Sequence, residues 1–247
     1  NVAWAVSQAL RQDTLILDMD LAFGTAGLNF NQDPPQGIAE AVFAPERLDS
    51  NMLDRLLSRC SDNLALLAAP AILDRTVDLD EDALEQLLDL LRASVPCIIL
   101  DVPHQWNAWV KRTVLGADEI LIVAEPELAS LRNAKNLVDL SRATRPNDAV
   151  ARLVLNRVGV PKRPEINAGE FSKALGIDVL STVPFDAQLF GTAANNGQMI
   201  AEVQAGSKAT EAFTQIASAL TGRGEAKRGR RSLLEPFVAK LKRRKAS

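Results

Sequence analysis

The chain has 247 residues, 47% of them apolar, which suffices for one large α/β domain or two small ones and excludes global disorder. Its net charge of −3 conceals a division: from Gly222 onward ten Lys/Arg stand against two Glu (net +8), and the rest holds 18 basic against 29 acidic residues (net −11). Cys60 and Cys97 lie far apart without metal-ligand spacing, so a reducing cytoplasm is expected and a disulfide framework is not.

No run approaches the roughly 18 apolar residues that span a bilayer, and no secretory signal opens the chain. The first residues, NVAWAVSQALRQ, read as a helix already under way, with no initiator Met and no N-cap signal. The expectation is a fragment that continues upstream. Strands are then predicted at 14–18 (TLILD), 63–68 (NLALLA), 97–102 (CIILDV), 119–124 (EILIVA), 152–156 (RLVLN) and 178–183 (DVLSTV). Most are unbroken apolar runs, as expected for strands buried on both faces of a parallel sheet. In DLDEDALEQLLDLLRAS, Leu84, Leu87, Leu88 and Leu91 fall on one helical face behind an acidic first turn, and 127–144 carries a similar stripe. This alternation predicts βαβ units in a doubly wound, mostly parallel α/β sheet, with ligands beyond the carboxyl ends of its strands.

Two strands end in carboxylates. Asp18 and Asp20 close the first (LILDMDLAFG), and Asp101 closes another (CIILDVP). Rigidly held carboxylates of this kind serve Mg²⁺ and its waters in nucleotide hydrolases, because a hard cation takes oxygen ligands. Strand-terminal Asp also closes turns. Two such strands in one βαβ chain favour nucleotide chemistry. Asp20 lies on the same side of the strand as Asp18 and could orient an attacking water.

The ordered segments LILDMDLAFGTAGLNF, CIILDVPHQWNAWVKRTVLGADEILIVAEPELASLRNAKNL, LVLNRVGVPKRPEI and VPFDAQLFGTAANNGQMI resemble the MinD/ParA class of deviant Walker-A ATPases, of the SIMIBI group of P-loop NTPases. Within it, FNQDPPQGIAEAVFAPERLD and VPFDAQLFGTAANNGQMI are most similar to the CpaE/TadZ proteins of Flp/Tad pilus assembly. The resemblance covers residues 1–221 and implies a fold incomplete at its N-terminus, lacking its first strand, its P-loop and a receiver-like domain further upstream. It implies ATP and Mg²⁺ as cofactors. Asp18 matches the first switch aspartate and Asp101 the Walker B carboxylate, both near Mg²⁺ through water. Asp20 matches the aspartate that positions the hydrolytic water, Asn156 the residue at the adenine edge, and Pro184 and Phe185 the segment along the base. An Asn amide, donor beside acceptor, suits an adenine edge; it equally suits an Asx-type strand terminator. Without a phosphate loop, binding of β/γ-phosphate loses its main donors. This chain is therefore expected to bind ATP poorly. The atypical, lysine-poor phosphate loop that the resemblance implies leads to an expectation of weak ATP hydrolysis in the full-length protein. A non-hydrolysing scaffold of the same fold, or a partition or septum-site ATPase, are the alternatives.

The implied partners are a second copy and pilus secretion machinery. His104 is expected to be structural or at the surface. Trp106 and Trp109 are expected on one helix, packing in the core or at an interface, and Gly24–Gly27 as a switch segment rather than a phosphate cradle. Arg132 could face a dimer partner. Residues 222–247 form a basic linker and tail in which Leu233, Leu234, Phe237, Val238 and Leu241 make an apolar stripe. Such a tail suits an anionic membrane (227–247), placing the protein peripherally at the inner membrane, or a partner surface. Nucleic acid is disfavoured, because basic charge is confined to the tail and no aromatic platform accompanies it.

Overall fold

The structure is a computed structural model, and it describes residues 1–34, 36–70, 79–148 and 150–222. The chain opens with α1 (Val2–Trp4), which continues as a π-helical turn over Ala5–Ala9. There follow β1 (Thr14–Asp18), α2 (Ala26–Asn29), α3 (Ile38–Phe43), α4 (Ser50–Leu56), β2 (Ser58–Ser61) and β3 (Leu64–Leu67). The middle of the chain forms α5 (Glu81–Ser94), β4 (Cys97–Asp101), α6 (Ala108–Gly116), β5 (Leu121–Ala124) and α7 (Leu128–Thr144). The last described elements are β6 (Arg152–Val158), α8 (Ala168–Leu175), β7 (Val179–Pro184), α9 (Ala187–Asn196), α10 (Ile200–Val203) and α11 (Lys208–Leu220).

Among the described residues two hydrogen-bonded ladders result, ordered β2-β3-β1-β4 and β5-β6-β7, and every pairing but β2 with β3 is parallel. All six predicted strands are present. The edge strand β2 was not expected: SRCS is polar and only partly buried, so it carries no apolar run. β1 is buried at all five positions because it pairs on both sides and is covered on both faces. Leu15 and Leu17 face a cluster with Ile38, Leu53, Leu87, Leu91 and Trp109, whereas Ile16 packs on the other face with Ala3, Leu64 and Leu66. The second ladder is sandwiched in the same way, Leu153 and Leu155 against Phe171 and Val138, and Val154 against Leu189, Ile200 and Ile216.

α5 forms where the pattern predicts. Asp80 caps it by accepting from the Asp82 and Ala83 N–H groups at 3.1 and 2.9 Å, and its leucine stripe is buried. Each leucine withdrawn from water contributes about 1.5–3 kcal/mol before entropy is charged.

Among the described residues, β4 pairs only with β1, and β5 only with β6. The apolar residues of β4 are merely half-buried, and Val123 of β5 is 59% exposed. Phe213 of α11 nevertheless belongs to both surroundings. With Cys97 and Ile99 of β4 it borders the cluster of Ala5, Val6 and Ala217, and with Leu121 of β5 it borders the cluster of Val154, Ile200 and Ile216. On the α5 and α6 side, an open cleft of about 510 Å³ is lined by Leu84, Leu88, Leu100, Trp109 and Thr113, and by the residues leading into β5.

Candidate functional site

Parallel pairing in register sets Asp18 beside Asp101 at the carboxyl ends of β1 and β4. The Met19 N–H donates to the Asp101 carbonyl at 3.0 Å and ties the two exits together. Asp18 is 2% exposed. One of its oxygens accepts from the Asp20 N–H at 3.3 Å and the other from the Ala26 N–H at 3.0 Å, so the loop after β1 folds back over the carboxylate. Asp20 is half-buried; its side chain accepts from the Phe23 N–H at 3.1 Å and its carbonyl from the Gly24 N–H at 2.7 Å. Gly24 permits this closure, because a Cβ there would strike both Asp18 oxygens and the Ala69 methyl. The segment Gly24–Gly27 is therefore a lid on Asp18 that leads into α2.

Burial raises the Asp18 carboxyl above the usual carboxylate range; the Ala26 N–H opposes this, and the charges of Asp101 and Asp20 add to it. Asp101 presents an exposed edge, yet crowding by the surrounding chain raises it too. The charge of Asp20 reinforces that shift. Among the described residues, no group of three or more His, Cys, Asp or Glu side chains is arranged to hold a metal ion. Two carboxylates, one with both oxygens already engaged by amides, fit Mg²⁺ held through water and a ligand's oxygens rather than in an all-protein cage.

Asn156, Pro184 and Phe185 come together at the carboxyl ends of β6 and β7. Pro184 pairs with Val158 across a shift in register, and the Phe185 N–H donates to the Val158 carbonyl at 2.8 Å. The Asn156 side-chain carbonyl accepts from the adjacent Arg157 N–H at 2.9 Å, a local contact that is not an Asx turn, and the NH₂ group of the same side chain is a separate donor. Segments leaving the two sets of strands meet: Gly197 packs against Leu28 and Asn31, and the Ile200 N–H donates to the Asn1 side chain at 2.9 Å. Both carboxyl edges thus lie on one side of the molecule.

An ionic network at the second edge escaped the sequence reading. Glu125 bonds Arg157 at 2.9 Å and Arg163 at 2.6 Å, and Arg163 also reaches Glu165 at 3.2 Å. Glu165 in turn accepts from the Gly159 and Val160 N–H groups, which together with Arg163 holds it below the usual carboxylate range. The available signal was the strand end LIVAE, an apolar run closing in a carboxylate like CIILD.

His104 and Arg132 are exposed. The two tryptophans do not share a helix: Trp109 lies in α6 and is buried, whereas Trp106 precedes the Asn107 N-cap and is 51% exposed. Asn107 accepts from the Val110 N–H at 3.0 Å and caps a helix that starts at Ala108, two residues beyond Trp106. The tail reading falls on 223–247, outside the described residues. Among those described, no helix is long and apolar enough to cross a membrane.

No protein-family model matches the chain. It is similar to the septum site-determining protein MinD of Helicobacter pylori, 27% identical over 172 residues, which cover 65% of this chain and 61% of that protein. The matched part thus spans about three fifths of that relative. Among solved structures, it superposes on a ParA family ATPase from Chlorobium tepidum with a TM-score of 0.77 at 24% identity, covering 89% of this chain and 90% of the other. A MinD from Pyrococcus horikoshii complexed with Mg-ADP gives 0.75 at 19% identity, covering 89% and 87%.

Proposed function

We propose that this chain, which has the fold of the MinD/ParA-like ATPases, is part of an ATP-binding protein that dimerises and positions Flp/Tad-type pilus secretion machinery at the membrane. The observation that carries the nucleotide reading is the pairing of Asp18 with Asp101 at one edge, on the side that also bears Asn156 and Phe185. Asp18 and Asp101 would hold Mg²⁺ through water, and the ion would neutralise phosphate charge. Asp20 would orient the hydrolytic water. Asn156 would meet the adenine edge, with Pro184 and Phe185 along the base. The Mg-ADP bound to the Pyrococcus horikoshii MinD supports this cofactor assignment.

The phosphate-binding loop we assign to a strand seated between β4 and β5. Support comes from the single-sided pairing of both strands among the described residues and from α11, whose Phe213 borders clusters that each strand also borders. Such a strand would run parallel to β4 and deliver its loop beside Asp101. The dimer reading is supported by Phe23, Trp106 and Leu128, which follow the carboxyl ends of β1, β4 and β5 and are 75%, 51% and 73% exposed.

The test is ATP turnover of the full-length gene product with Asp20→Ala and Asp101→Ala. A loss of about 100-fold or more is expected in each; wild-type turnover in both would overturn the assigned roles. The pilus reading rests on FNQDPPQGIAEAVFAPERLD and VPFDAQLFGTAANNGQMI. Similarity to MinD favours a second reading, a septum-site or partition ATPase. Deletion of the gene separates them: loss of surface pili with normal division supports the first, misplaced septa or lost plasmids the second.

A further inference from the structure

We propose that Arg157 is a built-in plug of the base subsite, occupying the face of Phe185 until a purine displaces it. The inference rests on the reading of Asn156 and Phe185 as that subsite.

The Arg157 guanidinium lies over the Phe185 ring, 5.9 Å from its centroid. A planar, delocalised cation covers an aromatic face much as a purine would, so the two compete for one surface. The placement is imposed rather than incidental. Arg157 adopts φ +54, a left-handed conformation unfavourable for a residue with a Cβ, and such conformations gather at ligand sites. Its N–H is held by the Asn156 side chain, its guanidinium by Glu125, and its carbonyl accepts from Arg163 at 2.6 Å. Backbone, carboxylate and ring therefore fix one rotamer.

The same network makes release inexpensive. Arg157 is 53% exposed on its side chain, so both of its contacts are of the weak, hydrated kind. When it leaves, Glu125 keeps Arg163, and no carboxylate is left uncompensated. Arg163 is in turn secured by Glu165, whose oxygens also hold the Gly159 and Val160 amides. The frame of the loop thus stays closed while one side chain swings away.

Adenosine tests this without reference to any phosphate site. It is titrated into the full-length gene product, following the Phe185 ring and the Asn156 side-chain amide by NMR. Arg157→Ala is expected to bind adenosine about three- to tenfold more tightly, the range for an exposed cation–π contact together with an exposed ion pair. Arg157→Gly, which suits the positive φ and keeps the fold accessible, should behave alike. Glu125→Gln should give a smaller gain of about twofold. Unchanged or weaker binding in both Arg157 variants, while Asn156→Ala abolishes the response, overturns the plug and leaves the base subsite standing. If adenosine perturbs neither reporter in any variant, both fall.

Discussion

Asp18 holds a loop and carries a charge at once. Its two oxygens organise the chain through the Asp20 and Ala26 amides, and the glycine that permits the close approach is Gly24. Gly24→Ala should cost about 1–3 kcal/mol, since the added methyl overpacks a site with no room to yield; urea unfolding checks it. The raised carboxyls predict a pH dependence of definite sign. An acid whose folded-state pKa lies above its unfolded value binds more protons when folded, so stability falls as pH rises through that window. Asp101→Asn should therefore be more stable than the wild type at pH 7, with the difference shrinking as pH falls towards 4. Thermal melts across that range decide, and a constant or growing difference contradicts the cause assigned to the shift. The aspartates were legible because an apolar run that stops in a carboxylate is a local signal. Glu125 carries the same signal, but its meaning depends on Arg157 and Arg163, 32 and 38 positions away, and no spacing rule reaches them.

Among the elements, capping explains most of the agreement between pattern and structure. Asn167 and Glu170 form a reciprocal box at the start of α8, and Gly176 ends the helix in a left-handed conformation. Arg142 of α7 then donates to the Leu175 and Gly176 carbonyls at 3.2 and 2.7 Å, coupling the two helices. Asn167→Ala should lower stability by about 1 kcal/mol, read from a shift in the urea midpoint, while leaving adenosine binding at Asn156 unchanged. β2 was illegible for the opposite reason. A polar four-residue edge strand is stabilised by the neighbour it pairs with, Leu64–Leu67, rather than by its own burial. The tryptophans show the same limit: spacing placed both on a helix, and the Asn107 cap removed one.

At the scale of the whole molecule, the acidic body and basic tail predict a salt-sensitive association. If 227–247 docks on anionic lipid, flotation with phosphatidylglycerol liposomes should fall on raising salt from 0.05 to about 0.5 M and vanish on removing the segment. Equal flotation of the truncated chain removes the membrane proposal. The exposed Trp106 offers a second test. Trp106→Glu should abolish ATP-dependent dimerisation of the full-length protein in sedimentation velocity while leaving its stability within about 0.5 kcal/mol, because the side chain is largely outside the core. A dimer that persists unweakened places the interface elsewhere.

The six predicted strands, the two leucine-rich helices and the carboxylates at two strand ends follow from the sequence by itself, since each is written in the burial and periodicity of a few consecutive residues. Tertiary structure alone decided that Asp18 and Asp101 stand side by side, that Gly24 closes over the first of them, and that Arg157 covers Phe185. It also decided that, among the described residues, β4 and β5 each pair on one side only. Apart from the closure of Gly24 over Asp18, six positions away, these are relations between segments tens of residues apart. They depend on which strand lies next to which, and local preference does not encode strand order.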